Sequence, residues 1–366
     1  MDFYQFFHHQ GSCLLRRQYQ WNGSARGSAK AEGKIRPIGK GSVLVRILVI
    51  SYSQSGQLTE IVRSFISPLM GRKEIRIEWH QIVPFEPYPF PWPVWKFFEI
   101  FPECIFMIPP QIEPICFESE DKFDLAVLAY QPWYFSPSLP MAAFLASPEA
   151  EVLKDTPVIT LSACKDTWLM AQEKVKSALE ALGATLIDHV SFRAQGSRLA
   201  SFITTPLWLW TGIQHNFPGI LPPAGVDRFD IYNARRFGHA IRIAVQTSGL
   251  NRKNSILHGL GAVKVDPDMI PFENAVHWFF QFWAKILLFA GKPGQVQRVP
   301  ALLLFLVVLL GAMGTAIPIA LIMRCLVNPL RKKKIAGQIA YYEQPSGSDT
   351  DKLTFLETDK LSNGYE

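Results

Sequence analysis

The sequence predicts an α/β fold, a doubly wound parallel sheet covered on both faces by helices. Three apolar runs, residues 43–50, 123–130 and 157–162, have the length and β-branched content of strands buried on both faces. Each leads into a polar or aromatic loop and then into a stretch of helical periodicity, residues 58–69, 141–153 and 168–182. Strand, loop and helix alternate, which requires parallel strands joined by helical crossovers.

The elements follow in order. Residues 1–42 are rich in Arg, Lys, Gly and Ser, have no sustained apolar period and no apolar signal core, and are expected to be a disordered basic leader. Gly39, Lys40, Gly41 and Ser42 lack phosphate-loop spacing and precede the first strand, so they are not read as a nucleotide site. Two apolar insertions interrupt the alternation. Residues 84–110 include Phe90, Trp92, Trp95 and Phe101, and residues 202–226 include Trp208 and Trp210. Either can cover the sheet or form a groove for an alkyl chain. Gly183 closes the third helix as its C-cap.

The chain has 366 residues, 48% hydrophobic and 19% charged, enough for a packed core. Its net charge of +6 gathers toward the two ends instead of forming a stripe with interleaved aromatics, so a membrane surface, not nucleic acid, is the expected partner. Cys13, Cys104, Cys116, Cys164 and Cys325 are odd in number and widely spaced, which points to a reducing compartment. The eight histidines are scattered apart from His8 and His9, and no metal is assigned.

Ligands of such a sheet sit in the loops at the strands' carboxyl ends. The first loop, Ser53, Gln54, Ser55, Gly56, Gln57, Leu58 and Thr59, turns directly into a helix whose free N–H groups attract an anion. Hydroxyls at Ser53, Ser55 and Thr59 can donate to phosphate oxygens, and Gly56 permits close approach. A ligand-free polar N-cap would use the same residue types. The run resembles the phosphate loop of flavodoxins at Ser53, Ser55, Gly56 and Gln57, and departs from it at Leu58, where a hydroxyl belongs.

The second loop holds Pro132, Trp133, Tyr134 and Phe135. It resembles the aromatic loop that covers one flavin face in flavodoxins and related quinone reductases, where Trp133 or Tyr134 would stack on the flat ring. An aromatic plug over the sheet end is the alternative. The third loop, Ser162, Ala163, Cys164 and Lys165, stands where that family's backbone meets the ring edge. Cys164 reads as a packed thiol, and Lys165 and Asp166 are proton-transfer candidates by position alone; no catalytic residue is assigned. The resemblance implies FMN as cofactor, a flavodoxin-like domain over residues 43–270 and strand order 2-1-3-4-5.

Further phrases narrow the resemblance. Tyr52 to Gln57, Pro89 to Trp92, Phe98 to Glu103, Ala129 to Tyr134, Met170 to Lys174 and Gly219 to Val226 are similar to bacterial dialkylresorcinol condensing enzymes over roughly residues 45–290. That resemblance implies an FMN-dependent oxidoreductase forming or aromatising a lipid-like ring, with other enzymes of the same pathway as partners. A membrane-tethered electron carrier or quinone reductase and a scaffold of the same fold without flavin are the competing readings; the net positive charge disfavours the carrier, and Leu58 keeps the scaffold open.

Residues 300–326 contain one charge, Arg324, and are expected to form a transmembrane segment, preceded by an aromatic membrane-interface helix over residues 275–290. The flavodoxin-like domain is expected on the cytoplasmic side. Residues 327–366 are expected to be a basic stretch followed by a disordered tail from Gln344.

Overall fold

A computed structural model of the chain describes residues 44–117, 122–214, 221–247, 250, 253–322 and 332–353. The chain divides into two compact units, residues 1–43 and 44–366, and the expected leader lies outside the described residues. The second unit is built on strands β1 (Val45–Ser51), β2 (Ile75–Gln81), β3 (Leu125–Tyr130), β4 (Pro132–Trp133), β5 (Ser136–Pro137), β6 (Pro157–Cys164) and β7 (Thr185–Arg193). Its helices are α1 (Gln57–Ile66), α2 (Val94–Glu99), α3 (Phe101–Phe106), α4 (Leu139–Leu145), α5 (Leu169–Ala181), α6 (Arg198–Thr211), α7 (Arg228–Asn233), α8 (Arg235–Thr247), α9 (Met269–Ala290), α10 (Val299–Ile322) and α11 (Lys332–Tyr342).

Five strands form one sheet in the order β2-β1-β3-β6-β7, every pair parallel. The expected 2-1-3-4-5 counted sheet strands only. The numbering shifts because Pro132–Trp133 and Ser136–Pro137 pair antiparallel in a separate hairpin where a loop is expected. β3 is buried along its whole length, as a central strand covered on both faces must be. Two clusters use the alternation of each strand: Ile47, Val49, Leu125 and Val127 pack under α1 and α8, while Leu48, Ile50, Ala126 and Leu128 pack on the side of α4.

Prolines decide where helices stop. The stretch expected over residues 58–69 leaves the α-helix at Ile66 and continues as a 3₁₀ turn over Ser67–Leu69, where Pro68 removes a donor. Likewise residues 141–153 split into α4 and a 3₁₀ turn, Pro148–Leu153.

The expected transmembrane segment requires correction. It extends partly beyond the described residues, and among the described residues no helix is long and apolar enough to cross a membrane. The apolar content has another use: Leu302 and Phe305 of α10 are buried against Phe101, Phe280 and Trp283, with the Phe101 and Phe305 rings stacked at 4.3 Å. Both flanks of α10 are also tied to the same domain. Before it, Arg298 pairs with Glu103 at 2.8 Å and donates to Glu99 O. After it, Ser346 Oγ donates to Asp188 Oδ1 at 2.7 Å and accepts from His189 N. A segment that leaves and returns to one side cannot be a single pass. The tail expected to be disordered from Gln344 is accordingly ordered up to residue 353, where Gly347 and Asp349 carbonyls accept from Val263 and Gly261, flanking Ala262, whose carbonyl accepts from Ser191 N on the outer edge of β7. Residues 354–366 lie outside the described residues. Cys116 is disulfide-bonded, which the cysteine spacing did not suggest.

Candidate functional site

Because β1, β3 and β6 are neighbours and parallel, the three loops singled out in the sequence leave the same end of the sheet side by side. The first is pinned to the second. Tyr52 N donates to Ala129 O at 3.2 Å, Gln54 N donates to Gln131 Oε1 at 3.1 Å, and Gln54 Nε2 reaches Pro89 O at 2.7 Å. Gly56 enters α1 with φ 84°, and no side chain caps the helix. A Cβ at Gly56 would meet nothing within 4 Å. The amino end of α1 thus opens onto space with its N–H groups uncapped.

Around that opening, Ser53 Oγ and Ser55 Oγ are shut off from water and have no hydrogen-bond partner. Leaving such a hydroxyl unsatisfied costs about 1–3 kcal/mol. Ser162 Oγ near the end of β6 and Ser138 Oγ at the start of α4 are likewise buried without partners. The hydroxyls of Ser53 and Ser55, without partners beside an uncapped helix terminus, fit an anionic, oxygen-rich ligand, as the phosphate end of FMN is.

Other predicted residues are engaged elsewhere. The Leu58 side chain is fully buried in the core under the sheet, so only its backbone is available to a ligand. The Gln57 side chain turns to Val226, accepting from its N–H at 2.9 Å and donating to its carbonyl at 3.2 Å. Thr59 is half-buried on α1.

The second loop separates its aromatic residues. Tyr134 and Phe135 sit at the tip of the β4–β5 hairpin with φ 46° and 63°, in left-handed positions where such a turn prefers Asn and Gly. Strain of that kind costs on the order of 1–3 kcal/mol per residue and persists only where surroundings over-determine it. Here Tyr134 Oη donates to Phe97 O at 2.7 Å, and both rings pack on Phe280 of α9 at 5.9 and 5.8 Å. Neither therefore turns toward the first loop. Trp133 does, standing edge-on to Tyr52, Tyr88 and Trp92 at 5.8, 5.1 and 5.5 Å. Pro132 is half-buried at its base.

The expected third loop begins later: β6 runs on through Ser162, Ala163 and Cys164, which pair with Ser191, Phe192 and Arg193 of β7, and only Lys165 lies beyond the strand. Cys164 Sγ donates to Phe192 O at 3.7 Å, and burial pushes its thiol well above the usual range. It is a packed thiol. Lys165 is pushed down to about 8 by burial. Ala163 is half-buried, and the Cys164 and Lys165 carbonyls accept from Ala194 N.

Three features escaped the sequence reading. Gln131 bridges the first two loops; it stood in plain view between a strand and a proline. Glu273, fully buried, accepts hydrogen bonds from Trp168, Leu169 and Met170 N–H at 2.9, 3.2 and 3.0 Å and so caps α5 with a side chain 104 residues away. Its signal was a lone carboxylate at the start of an apolar helix. Behind the second loop, an open depression of about 470 Å³ is lined by Met107, Met170, Glu173, Lys174, Ser177, Ala178 and His277. Lys174 Nζ donates to Ile105 O at 2.6 Å and Ser136 Oγ at 2.7 Å, and burial pushes its amine down to about 8.

No protein family and no curated protein matches the chain. Among solved structures, it is similar to a flavoprotein in complex with FMN from Lactobacillus acidophilus, at 17% identity over 40% of this chain and 93% of that one, with a TM-score of 0.32. A flavoprotein from Bacteroides eggerthii matches at 15% identity over 42% and 92%, also with a TM-score of 0.32. An oxidoreductase from Corynebacterium diphtheriae matches at 11% identity over 53% and 93%, with a TM-score of 0.28.

Proposed function

We propose that the chain holds FMN at the carboxyl ends of β1, β3 and β6 and works as a flavin-dependent oxidoreductase. The observation that carries this reading is the pair Ser53 Oγ and Ser55 Oγ, buried and without partners beside the uncapped start of α1. These hydroxyls and the first N–H groups of α1 would hold the phosphate, with Gly56 keeping the approach open. Trp133 would border the ring, and the backbone of Ser162, Ala163, Cys164 and Lys165 would meet its edge. Bound there, FMN supplies a two-electron acceptor for a hydride.

The substrate we infer is a lipid-like cyclohexanedione-type ring oxidised to a dialkylresorcinol. The phrases that resemble that enzyme family's support it, as does the open depression behind the second loop, where Met107 and Met170 suit an apolar chain and Lys174 a polar end. Lys174 orients that end; its lowered proton affinity lets the amine exchange a proton near neutral pH. A flavin-free scaffold is the second reading, favoured by the turn of Gln57 away from the loop and the burial of Leu58.

The test is the visible spectrum of the purified protein with its ligand identified by mass, beside Gly56→Asp. A yellow protein carrying FMN, colourless in the variant, supports the redox reading. A protein that stays colourless after reconstitution with FMN overturns it and leaves the scaffold.

A further inference from the structure

The outward faces of α9 and α10 carry a chemistry that water does not explain. On α9, Trp278, Phe282, Lys285 and Phe289 fall at i, i+4, i+7 and i+11, one stripe of the helix, all exposed; Trp278 is 70% and Phe289 96% accessible. The opposite side of the same helix, Phe280, Trp283, Ala284 and Leu287, is buried against α3 and α10. On α10, Leu303, Val307, Leu310 and Gly314 repeat that spacing, with Val307 68% and Leu310 67% accessible. A water-facing helix side normally carries charged residues, and contiguous apolar patches of this kind mark interaction sites. Residues 299–322 contain no charged residue at all.

We propose that these outward faces rest in the plane of a lipid surface, entering one leaflet without crossing it. Four observations select lipid as the occupant. The flanks of α10 are both fixed to the same domain, by Arg298 on Glu103 before it and Ser346 on Asp188 after it, which suits an element lying along a surface. The exposed cations Lys285 and Lys292 border the patch and complement anionic headgroups. Trp278 and Phe282 stack at 6.3 Å with planes 15° apart, an aromatic pair of the type that sits at headgroup depth. A second copy of this chain seated on the same face would set these lysines against its own, which disfavours self-association. Placement on a leaflet also brings His277, which lines the open depression behind the second loop, next to the lipid-facing Trp278. The inference is independent of FMN and holds for the protein with or without it.

The full chain is mixed with sedimenting vesicles of phosphatidylcholine, alone or with an equal part of phosphatidylglycerol. Binding to the mixed vesicles about tenfold tighter than to phosphatidylcholine alone is expected from two lysines near the surface. Val307→Glu with Leu310→Glu, at positions already accessible and so without a folding cost, weakens binding to both by at least about tenfold. Lys285→Glu with Lys292→Glu removes only the preference for the anionic lipid. In vesicle-bound protein, an impermeant maleimide labels Asp351→Cys and Glu60→Cys alike. Full chain that stays in the supernatant with both vesicles overturns the proposal. So does selective protection of Asp351→Cys, which would mean crossing, or a soluble dimer that Val307→Glu dissolves while vesicles leave it intact.

Discussion

Gln57 and Val226 hold each other by two hydrogen bonds, Val226 N to Gln57 Oε1 at 2.9 Å and Gln57 Nε2 to Val226 O at 3.2 Å, across 169 positions of sequence. The side chain that a phosphate loop would turn to its ligand is instead the clamp that brings the segment after α6 onto α1. Gly225 completes the clamp: at φ 84°, a Cβ there would come within 2.6 Å of Gln57 Oε1. Gln57→Ala is expected to cost about 1–3 kcal/mol by stranding the Val226 groups, and Gly225→Ala more because backbone strain adds to the clash. Urea unfolding of the three proteins checks the order.

Glu273 gives a pH dependence of definite sign. Burial raises its carboxyl from 4.5 to about 7 against the three N–H groups that lower it. The folded state therefore binds this proton more tightly than the unfolded chain does, and its contribution is full below pH 4.5 and lost as pH rises through about 7. The difference in unfolding free energy between wild type and Glu273→Gln should fall by roughly 3 kcal/mol across that window. A flat difference would sink the assignment.

His189 runs the other way. Burial first, then the charge of Lys176, lowers it from 6.5 to about 3, while Thr160 Oγ1 meets its Nδ1 at 2.8 Å. Stability owed to the neutral ring is complete above pH 6.5 and drains as pH falls toward 3. In His189→Gln the acid limb of a stability-against-pH curve should be shallower than in wild type.

The Arg298–Glu103 pair is nearly enclosed, with side-chain exposures of 1% and 12%. Arg298→Ala is expected to cost about 3–5 kcal/mol by leaving the carboxylate buried and alone, whereas Arg298→Leu with Glu103→Leu should be near neutral. Thermal unfolding of the two separates a desolvated charge from a lost contact.

Cys104 and Cys164 should resist alkylation in the native protein at pH 8, since burial raises both thiols and each is packed. Site-resolved mass spectrometry before and after denaturation reads this directly; prompt native labelling of Cys164 would reopen it as a reactive group.

The parallel sheet was legible because strands buried on both faces are written as continuous apolar runs, as in β1, β3 and β6. β7 was harder to read, since Thr185, Asp188, His189 and Ser191 break its apolar pattern; the partners of Asp188, Ser255 and Ser346, come from distant sequence. The loops' positions followed from the sheet, but which way their side chains turn did not. Gln57 is taken by Val226, and Tyr134 and Phe135 by α9, both tertiary contacts that local composition cannot encode. The apolar stretch at α10 misled for the complementary reason: hydropathy registers that a segment avoids water, not whether protein already shields half of it.

The clip between Asp188 and Ser346 sets an order of events during synthesis. The carboxylate of β7 accepts from Ser255, Ile256 and Leu257 as soon as that stretch is made, yet its contact with Ser346 spans 158 positions. Until the ribosome has released residue 346, His189 N lacks its hydroxyl acceptor and the Asp188 carboxylate its last donor, so the outer edge of β7 is covered only in part, by the stretch whose Ala262 carbonyl accepts from Ser191 N, while α9 and α10 emerge. A nascent chain stalled before this point would offer a partly covered strand edge and an apolar helix pair together, a combination that holdase chaperones grip. Ser346 is thus the last partner that the buried Asp188 carboxylate receives.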